Sequence, residues 1–483
     1  MQNSFETYET TLPVVCLTAQ TAVECKLVSG GEFSSLLALH TIVVPTGKEV
    51  LSGEFRYSGK LLFSACYEDT EGEVRRIERG AEFTHSIEHP ALAPAQSAKL
   101  KIKVLKTTLR RENGNLYVSA IVSPEVEIFT PATFTYLSDT DLIAKKGEIA
   151  LYRRVTAGGM SECEDEFETE ALNDVLTHSE QLLVEKAECR QGTVSVEGKI
   201  ALLVTALKEE GICSFERLVP FSAEIPCESA SPFLPAKAEA ILRSATINVD
   251  TDEDKGKSVL LSDFTLEFFC TVWEKSTMQA VEDAFSPAKE IELVKETPVF
   301  PISEECVVLT EHIAGVCACN ETLDFASEVK CITSVKAVGQ VGERLEGVLT
   351  ANAILADREG GLKKVELTCP FSFAVKEKGE VSLLVCGCKV TQKKEGELEA
   401  EATIKACISP VKEEKAAFLS ECKEGKDIEE RGSGISVFLP SKGDGLWETA
   451  KRLRIKPEEV ERLNPNLTYP LTGKERILLY RQK

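Results

Sequence analysis

The chain has 483 residues, of which 43% are hydrophobic, and its 56 Lys and Arg residues against 78 Asp and Glu give a formal net charge of −22. So acidic a chain repels nucleic-acid phosphates along its length, which argues against a nucleic-acid-binding protein. It contains no run of about 18 apolar residues, which argues against a membrane span, and its length suits about three or four domains of roughly 100 to 200 residues each.

The first residues, Met1 to Glu6, have neither a basic region nor an apolar one. Secretory signals contain both, so nothing in this stretch indicates export. The 17 cysteines are scattered at irregular spacing. We therefore expect reduced thiols in a cytosolic protein, none of them required for folding.

An internal repeat is the main feature of most of the chain. In three stretches a glycine opens an apolar run, and a phenylalanine follows 24, 23 and 24 residues later. The pairs are Gly59 with Phe83, Gly198 with Phe221, and Gly347 with Phe371. The glycines are 139 and 149 residues apart. This recurrence predicts three copies of one domain, and since the period is too long for a solenoid, each copy is expected to fold by itself.

A long hairpin is predicted near the end of each copy. The turns are expected at Asn113-Gly114, within Asp252 to Gly256, and at Lys394-Glu395-Gly396. On the return strand of the third copy, Glu397 to Ala406, polar and apolar residues alternate, which is typical of a strand with one buried face. Long strands, turns marked by glycine and few helical stripes predict an all-β domain, either a sandwich or barrel-like.

The repeat and the composition predict the domain organisation. We expect β domains over residues 1–138, 139–286 and 287–423, a flexible linker rich in charge and glycine over 424–434, and a small domain over 435–483. The small domain holds 10 Lys and Arg and 6 Asp and Glu, a net charge of +4, so the remainder, with 46 basic and 72 acidic residues, carries −26.

The last stretch is predicted to fold as strand, helix, helix, strand. Ile435 to Leu439 is apolar and rich in β-formers, and the glycines after it mark a turn. The apolar residues from Leu446 to Leu453 recur at helical spacing. Pro457 suits the first position of a second helix, and Asn464 is expected to end that helix in the left-handed conformation. Arg476 to Tyr480 forms the second strand.

This stretch resembles a LysM domain, through the turn Gly443-Asp444-Gly445-Leu446-Trp447 and through Asn464-Pro465-Asn466 after the second helix. The resemblance implies a small α+β domain of the order βααβ. Trp447 is expected to lie in its core, with a role in ligand binding as the alternative. The sequence departs from the family at Gly445 and Lys456, which stand where a capping residue usually opens each helix.

The LysM resemblance also implies where a ligand would bind. In LysM domains that bind polymers of N-acetylglucosamine, the ligand lies between the loop after the first strand and the loop before the second. The candidate residues for binding a ligand or partner are therefore Gly443, Asp444, Gly445, Leu446, Asn464, Pro465, Asn466 and Leu467.

Three β domains followed by one LysM domain resemble the SPOCS-domain proteins of endospore-forming bacteria, in particular the SipL type of coat morphogenetic protein. The resemblance implies a non-enzymatic scaffold in the mother-cell cytoplasm that settles on the forespore surface and becomes part of the spore coat. Its expected partner is SpoIVA, the ATPase that builds the basement layer of the coat, together with other coat proteins.

A second interpretation remains open, in which the LysM domain binds peptidoglycan of the spore cortex or cell wall. The missing export signal counts against it.

Nothing in the sequence predicts catalysis, a metal site or a cofactor. The five histidines lack the spacing of metal sites. Cys317 with Cys319 and Cys386 with Cys388 are expected to be small, partly buried residues. Gly256-Lys257-Ser258 fits a hairpin turn better than a phosphate-binding loop. We therefore expect a protein that is not an enzyme.

Overall fold

A computed structural model describes residues 2–27, 33–112, 115–252, 256–319, 328–356, 361–394, 397–428 and 434–481. Over these ranges the chain is mainly β, with long antiparallel strands and two short helices. This confirms the predicted β class. Neither helix of the described ranges has the length and apolar character needed to cross a membrane.

The first unit consists of seven strands in two antiparallel sheets. They are β1 (Asn3–Thr18), β2 (Thr21–Leu27), β3 (Phe33–Leu51), β4 (Glu54–Asp69), β5 (Val74–Glu88), β6 (Ser97–Glu112) and β7 (Asn115–Thr140). β1, β2 and β6 pair with β7, whereas β3, β4 and β5 form a meander. Phe55 and Tyr57 of the meander are buried in one cluster with Leu116 and Val118 of the other sheet, so the two sheets enclose a core between them.

The second unit has six strands in two sheets of similar arrangement. They are β8 (Ile143–Glu170), β9 (Asp174–Arg190), β10 (Thr193–Lys208), β11 (Gly211–Pro226), β12 (Ala236–Asp252) and β13 (Lys257–Phe285). β8 and β12 pair with β13, and β9, β10 and β11 form the meander. Val196 and Leu202 of the meander share a buried cluster with Leu260 and Phe268 of the other sheet.

The third unit contains nine strands. They are β14 (Lys289–Glu296), β15 (Val299–Ser303), β16 (Val307–Cys319), β17 (Glu328–Val341), β18 (Arg344–Ala356), β19 (Leu362–Ala374), β20 (Gly379–Lys394), β21 (Glu397–Lys415) and β22 (Phe418–Asp427). β15, β16 and β20 pair with β21, and β14 pairs with β22. β17, β18 and β19 form the meander, which joins the other strands through a short pairing of β16 with β19.

The predicted hairpins are present in all three units. β6 pairs with β7, β12 with β13 and β20 with β21, each in antiparallel register. The predicted turn residues 113–114, 253–255 and 395–396 lie outside the described residues. In every unit, strands that precede the meander pair with the second strand of the hairpin: β1 and β2 with β7, β8 with β13, and β15 and β16 with β21.

The repeated glycine and phenylalanine form a cross-strand pair in each unit. Gly59 lies opposite Phe83, Gly198 opposite Phe221, and Gly347 opposite Phe371. A methyl group built on the three glycines would lie 2.6, 2.4 and 2.5 Å from the ring Cζ of the partner. The phenyl ring therefore occupies the space of the missing side chain, which explains why the two residue types recur at a nearly constant separation.

The three units are packed against each other. A buried apolar cluster combines Leu37 and Cys66 of the first unit, Leu176 of the second and Ile354 of the third. Polar contacts reinforce the junctions, since Arg76 Nη1 donates to the Val175 carbonyl at 2.8 Å and the Val385 N–H donates to Gln181 Oε1 at 3.2 Å. The units therefore share buried surface and are not domains connected only by the polypeptide chain.

Strands cross two of the predicted boundaries. The boundary between residues 138 and 139 falls inside β7. The predicted linker, residues 424–434, begins inside β22, which pairs with β14 as far as Asp427. Residues 429–433 of that linker lie outside the described residues.

One pair of cysteines departs from the expectation of reduced thiols. Cys306 and Cys407 are joined by a disulfide. The other 15 cysteines are not disulfide-bonded. Cys317 is buried, whereas Cys319, Cys386 and Cys388 are half-buried, in agreement with the predicted partial burial.

Candidate functional site

Residues 434–481 form a small domain, called the module below. Its elements are β23 (Gly434–Phe438), α1 (Leu446–Leu453), α2 (Pro457–Leu463) and β24 (Ile477–Arg481). β23 and β24 pair in antiparallel register. Ala450 of α1, Val460 of α2 and Ile477 of β24 are fully buried between the strands and the helices. The order of elements is the one that the sequence predicts.

Both helices begin without a capping side chain on the preceding residue. Gly445 precedes α1, and its N–H donates to Glu448 Oε2 at 3.0 Å, while Thr449 Oγ1 donates to the Gly445 carbonyl at 2.8 Å. Glu448 also lies where the helix dipole favours a negative charge. Lys456 precedes α2, and Pro457 occupies the first helical position, where its missing N–H costs nothing.

The Asp444 carboxylate is part of the structure of the first candidate loop. Asp444 is only 8% exposed, and its Oδ2 accepts hydrogen bonds from the Ser441 N–H at 2.8 Å and from Arg452 Nη1 at 2.7 Å. This loop, Gly443 to Leu446, also contacts the second candidate loop, Asn464 to Leu471. The Gly443 N–H donates a hydrogen bond to the Leu471 carbonyl at 2.7 Å. The two loops are therefore brought together, but the Asp444 carboxylate is already occupied.

Asn464 does not have the predicted left-handed conformation, since its φ is −135°. Its side chain instead connects α2 to β24. Nδ2 donates to the Val460 carbonyl at 3.1 Å and to the Leu478 carbonyl at 3.0 Å, and Oδ1 accepts from the Leu478 N–H at 2.7 Å. Arg454, after α1, has a left-handed conformation, at φ 57°. Asn464 is thus a structural residue, and the predicted conformation was wrong.

The other candidate residues offer few side-chain groups to a ligand. Gly443, Pro465 and Asn466 are exposed. Leu446 and Leu467 are half-buried and pack against the apolar core of the module. Among the candidates, Asn466 is therefore the one exposed residue with a polar side chain.

An exposed apolar surface on the module, called the outer face below, was not predicted from the sequence. Ile435 and Tyr480 lie opposite each other, as do Val437 and Leu478, and Leu439 continues the same alternation. These five side chains are 77%, 53%, 54%, 49% and 67% exposed, respectively.

The opposite face of the same two strands packs against the helices. Phe438, Ile477 and Leu479 belong to the apolar core of the module. β23 is therefore apolar on both faces, whereas a strand on a protein surface usually alternates between apolar and polar residues. The run from Ile435 to Leu439, with Ser436 as its one polar residue, contained this signal.

Trp447 lies at a contact between the module and the second unit. Its Nε1 donates to Asp283 Oδ2 at 2.8 Å, and its ring centroid is 5.3 Å from that of Phe285 in an edge-on arrangement. Lys451 Nζ donates to both oxygens of Asp283, at 2.6 and 2.7 Å. Phe285 is 5% exposed and belongs to the apolar cluster of the module. Trp447 is therefore an interface residue as well as a packed one.

The charge on Asp283 is stabilised at this contact. Burial raises the pKa of its carboxyl, but the hydrogen bonds from Lys451 and Trp447 outweigh burial and hold the pKa below its usual value. Asp283 stays ionised and paired with Lys451 near neutral pH. The contact combines a charge-assisted hydrogen bond with aromatic packing, and it sets the orientation of the module on the second unit.

Within the described ranges, no group of three His, Cys, Asp or Glu side chains is placed to hold a metal ion. No protein-family model matches the chain, and no curated protein matches it in sequence. Its function is therefore inferred from its own residues.

Proposed function

We propose that this chain is a non-enzymatic adaptor of endospore coat assembly, built from three copies of a SPOCS-type β domain and one LysM domain. It acts in the mother-cell cytoplasm and at the forespore surface. There the module docks on the SpoIVA-like ATPase of the coat basement layer, and the β units present binding surfaces to other coat proteins.

The outer face is the observation that carries this proposal. Five large apolar side chains, four on two paired strands and Leu439 just after the first strand, are about half or more exposed to water. Contiguous apolar surface of this kind marks sites of protein interaction, because exposing it without a partner is unfavourable. The net charge of +4 around it favours an acidic partner surface.

The contact with the second unit supports an adaptor with a fixed geometry. Asp283 holds the module through Trp447 and Lys451, and the apolar cluster around Leu176 joins the three β units. An adaptor that holds coat proteins at defined distances needs binding surfaces whose relative positions are fixed. The shared buried surface between the units meets that need.

Peptidoglycan binding is the second candidate function. The two candidate loops adjoin through backbone hydrogen bonds, which is the arrangement that a glycan site between them needs. However, the side chains of Asp444 and Asn464 are engaged in structural hydrogen bonds. Few polar groups then remain to orient a sugar, and the geometry favours a protein partner.

The test uses the full-length chain and compares the outer face with a matched surface elsewhere. The double variant Val437→Ser, Tyr480→Ser removes apolar area from the outer face. The control Val338→Ser removes an apolar side chain that is 68% exposed in the third unit. We expect the double variant to bind the purified basement-layer ATPase about 10-fold more weakly or worse, as for an interface hot spot, and the control to bind normally in biolayer interferometry.

A cosedimentation assay with purified peptidoglycan tests the second candidate. Asn466→Ala changes the exposed polar residue of the candidate loops and leaves the outer face intact. Sedimentation of the full-length chain that Asn466→Ala abolishes, together with no binding to the ATPase, would replace the adaptor function with glycan binding.

A further inference from the structure

A polar cleft lies where the three units meet, and its volume is about 560 Å³. It is called the junction cleft below. β3 and β6 of the first unit, β9 of the second, and β17, β18 and β19 of the third all contribute residues to its lining. A ligand in this cleft would touch all three units.

Buried polar atoms without a hydrogen-bond partner are concentrated here. Within the described residues, Glu180 Oε2, His40 Nε2 and Asn352 Oδ1 are buried and have no such partner, and all three residues line the cleft. The Glu180 side chain is 1% exposed, and its Oε2 is 3.7 Å from His40 Nε2, which is too far for a hydrogen bond. Buried polar atoms are almost always paired, so the two oxygens, Glu180 Oε2 and Asn352 Oδ1, indicate a ligand that donates hydrogen bonds.

Three lysines of the lining have no carboxylate within ion-pair distance. Lys106, Lys336 and Lys364 form no ion pair within 4.0 Å in the described part of the chain. Lys364 is half-buried, and burial lowers the pKa of its ammonium group, although Glu366 on the same face of β19 acts in the opposite direction. Withdrawing a cation from water without a counter-charge is unfavourable, and a bound anion relieves that cost.

The carboxylate of Glu180 does not cancel this positive charge. His178 Nδ1 contacts Glu180 Oε1 directly. Burial lowers the pKa of His178, but the hydrogen bond and charge of Glu180 outweigh burial and raise it. The histidine offsets part of the glutamate's charge, and three lysines against two carboxylates, Glu180 and Glu366, line the cleft within a chain whose net charge is −22.

We propose that the junction cleft binds a sugar phosphate. The three lysines hold the phosphate, and the sugar hydroxyls donate hydrogen bonds to Glu180 Oε2 and Asn352 Oδ1. A cleft of about 560 Å³ has the volume of a typical small-molecule site. Because the ligand contacts all three units, its binding stabilises their packing and raises the melting temperature.

Isothermal titration calorimetry on the full-length protein tests this assignment with three probes. Glucose 6-phosphate carries both recognised groups, inorganic phosphate carries only the anion, and glucose carries only the hydroxyls. We expect saturable heat with glucose 6-phosphate, about 10-fold weaker binding of inorganic phosphate, and no heat with glucose. Saturating glucose 6-phosphate should also raise the melting temperature.

Two variants of β19 supply a matched comparison. Lys364→Met removes the half-buried ammonium from the cleft, and we expect binding of glucose 6-phosphate to weaken about 10-fold or more. Lys363→Met makes the same change one residue away, where the side chain points to the opposite face of the strand, and should bind normally. If Lys364→Met fails to fold by circular dichroism, Lys106→Met at the exposed rim replaces it.

Three results would overturn the assignment. They are the absence of heat with both phosphate compounds, equal affinity for inorganic phosphate and glucose 6-phosphate, and normal binding by a folded cleft-lysine variant.

Discussion

Asp283 at the end of β13 accepts a hydrogen bond of 2.8 Å from the indole of Trp447, which lies 164 residues further along the chain. Lys451 adds a charge to the same contact, and Phe285 adds apolar packing. The position of the module therefore depends on a few residues of the second unit. Single substitutions at these residues can test how the module is held.

Asp283→Ala is expected to loosen the module. The substitution leaves the Trp447 N–H and the Lys451 ammonium without their acceptor. Charge-assisted hydrogen bonds contribute about 1.5–3 kcal/mol each, and because Lys451 is 40% exposed, we expect a loss of about 1–2 kcal/mol in total. The chain has two tryptophans, so a Trp273→Phe background isolates the emission of Trp447, which should shift to the red as its ring meets water.

Glu282→Ala is the matched control for this experiment. It removes a neighbouring carboxylate that pairs with Lys145 at 2.9 Å and does not touch Trp447. Its emission should equal that of the parent. An unchanged spectrum for Asp283→Ala would mean that the module is held by other contacts.

The pair of Glu180 and His178 predicts a pH dependence of stability. Burial raises the pKa of Glu180, but the hydrogen bond from His178 and the electrostatic attraction of His178 and His40 outweigh burial and hold the pKa at about 2. The contribution of Glu180 is present above its unfolded pKa of about 4.3 and is lost as the pH falls toward 2. The raised pKa of His178 stabilises the fold below about pH 6.5, and this contribution is lost as the pH rises through the raised value. The pair therefore stabilises most between about pH 4.5 and 6.5.

Urea unfolding of the parent and of Glu180→Gln measures this effect. Glutamine keeps the shape of the side chain but not its charge. We expect the free energy of unfolding of the parent to exceed that of the variant by more at about pH 5.5 than at about pH 8.5. His312→Gln, at an exposed histidine of β16, serves as the control. A difference between parent and Glu180→Gln that is the same at both pH values would contradict the prediction.

Gly347→Ala is expected to destabilise the third unit by about 1–3 kcal/mol, the usual cost of overpacking. The new methyl group would lie 2.5 Å from Cζ of Phe371 and 2.4 Å from the carbonyl oxygen of Val338. Because the backbone oxygen remains, adding Phe371→Leu should not restore stability. Gly342→Ala is the control, since its nearest neighbour is 3.9 Å away. Equal melting temperatures for the two variants would show that the strands move apart to accept the methyl group without a loss of stability.

The thiols predict a simple labelling result. Alkylation in denaturant without a reductant should modify 15 cysteines, and prior reduction should raise the number to 17, because Cys306 and Cys407 are bonded. Cys407→Ser should give 16 modified cysteines under both conditions. Mass spectrometry counts the labels, and 17 labels without reduction would show that all the thiols are reduced.

Local signals in the sequence were enough to predict the hairpins and the elements of the module. The alternation from Glu397 to Ala406, the glycine turns and Pro457 each act within a few residues, so they could be interpreted without knowledge of the tertiary structure. The spacing of Gly347 and Phe371 recurs elsewhere in the sequence, and the structure shows a physical reason for it in a ring packed over a glycine.

Contacts between distant parts of the chain could not be predicted in the same way. Asp444 and Asn464 carry the residue types of exposed loops, and only the folded structure shows that Arg452 and Leu478 engage them. The spacing of apolar residues also could not predict the hydrogen bond between Trp447 and Asp283, because the two residues are 164 positions apart and share no local sequence pattern. The junction cleft was missed for the same reason, since its lining comes from six strands.

The position of Phe285 has a consequence for how this protein can evolve. Its ring fills part of the apolar cluster of the module, although it belongs to a strand that ends long before the module begins. A recombination event that joined residues 434–481 to another carrier would separate Trp447 from Phe285 and from the carboxylate that it binds. The transferred module would then lack part of its apolar packing. Selection would favour a recipient protein that already presents an aromatic ring beside an acidic residue.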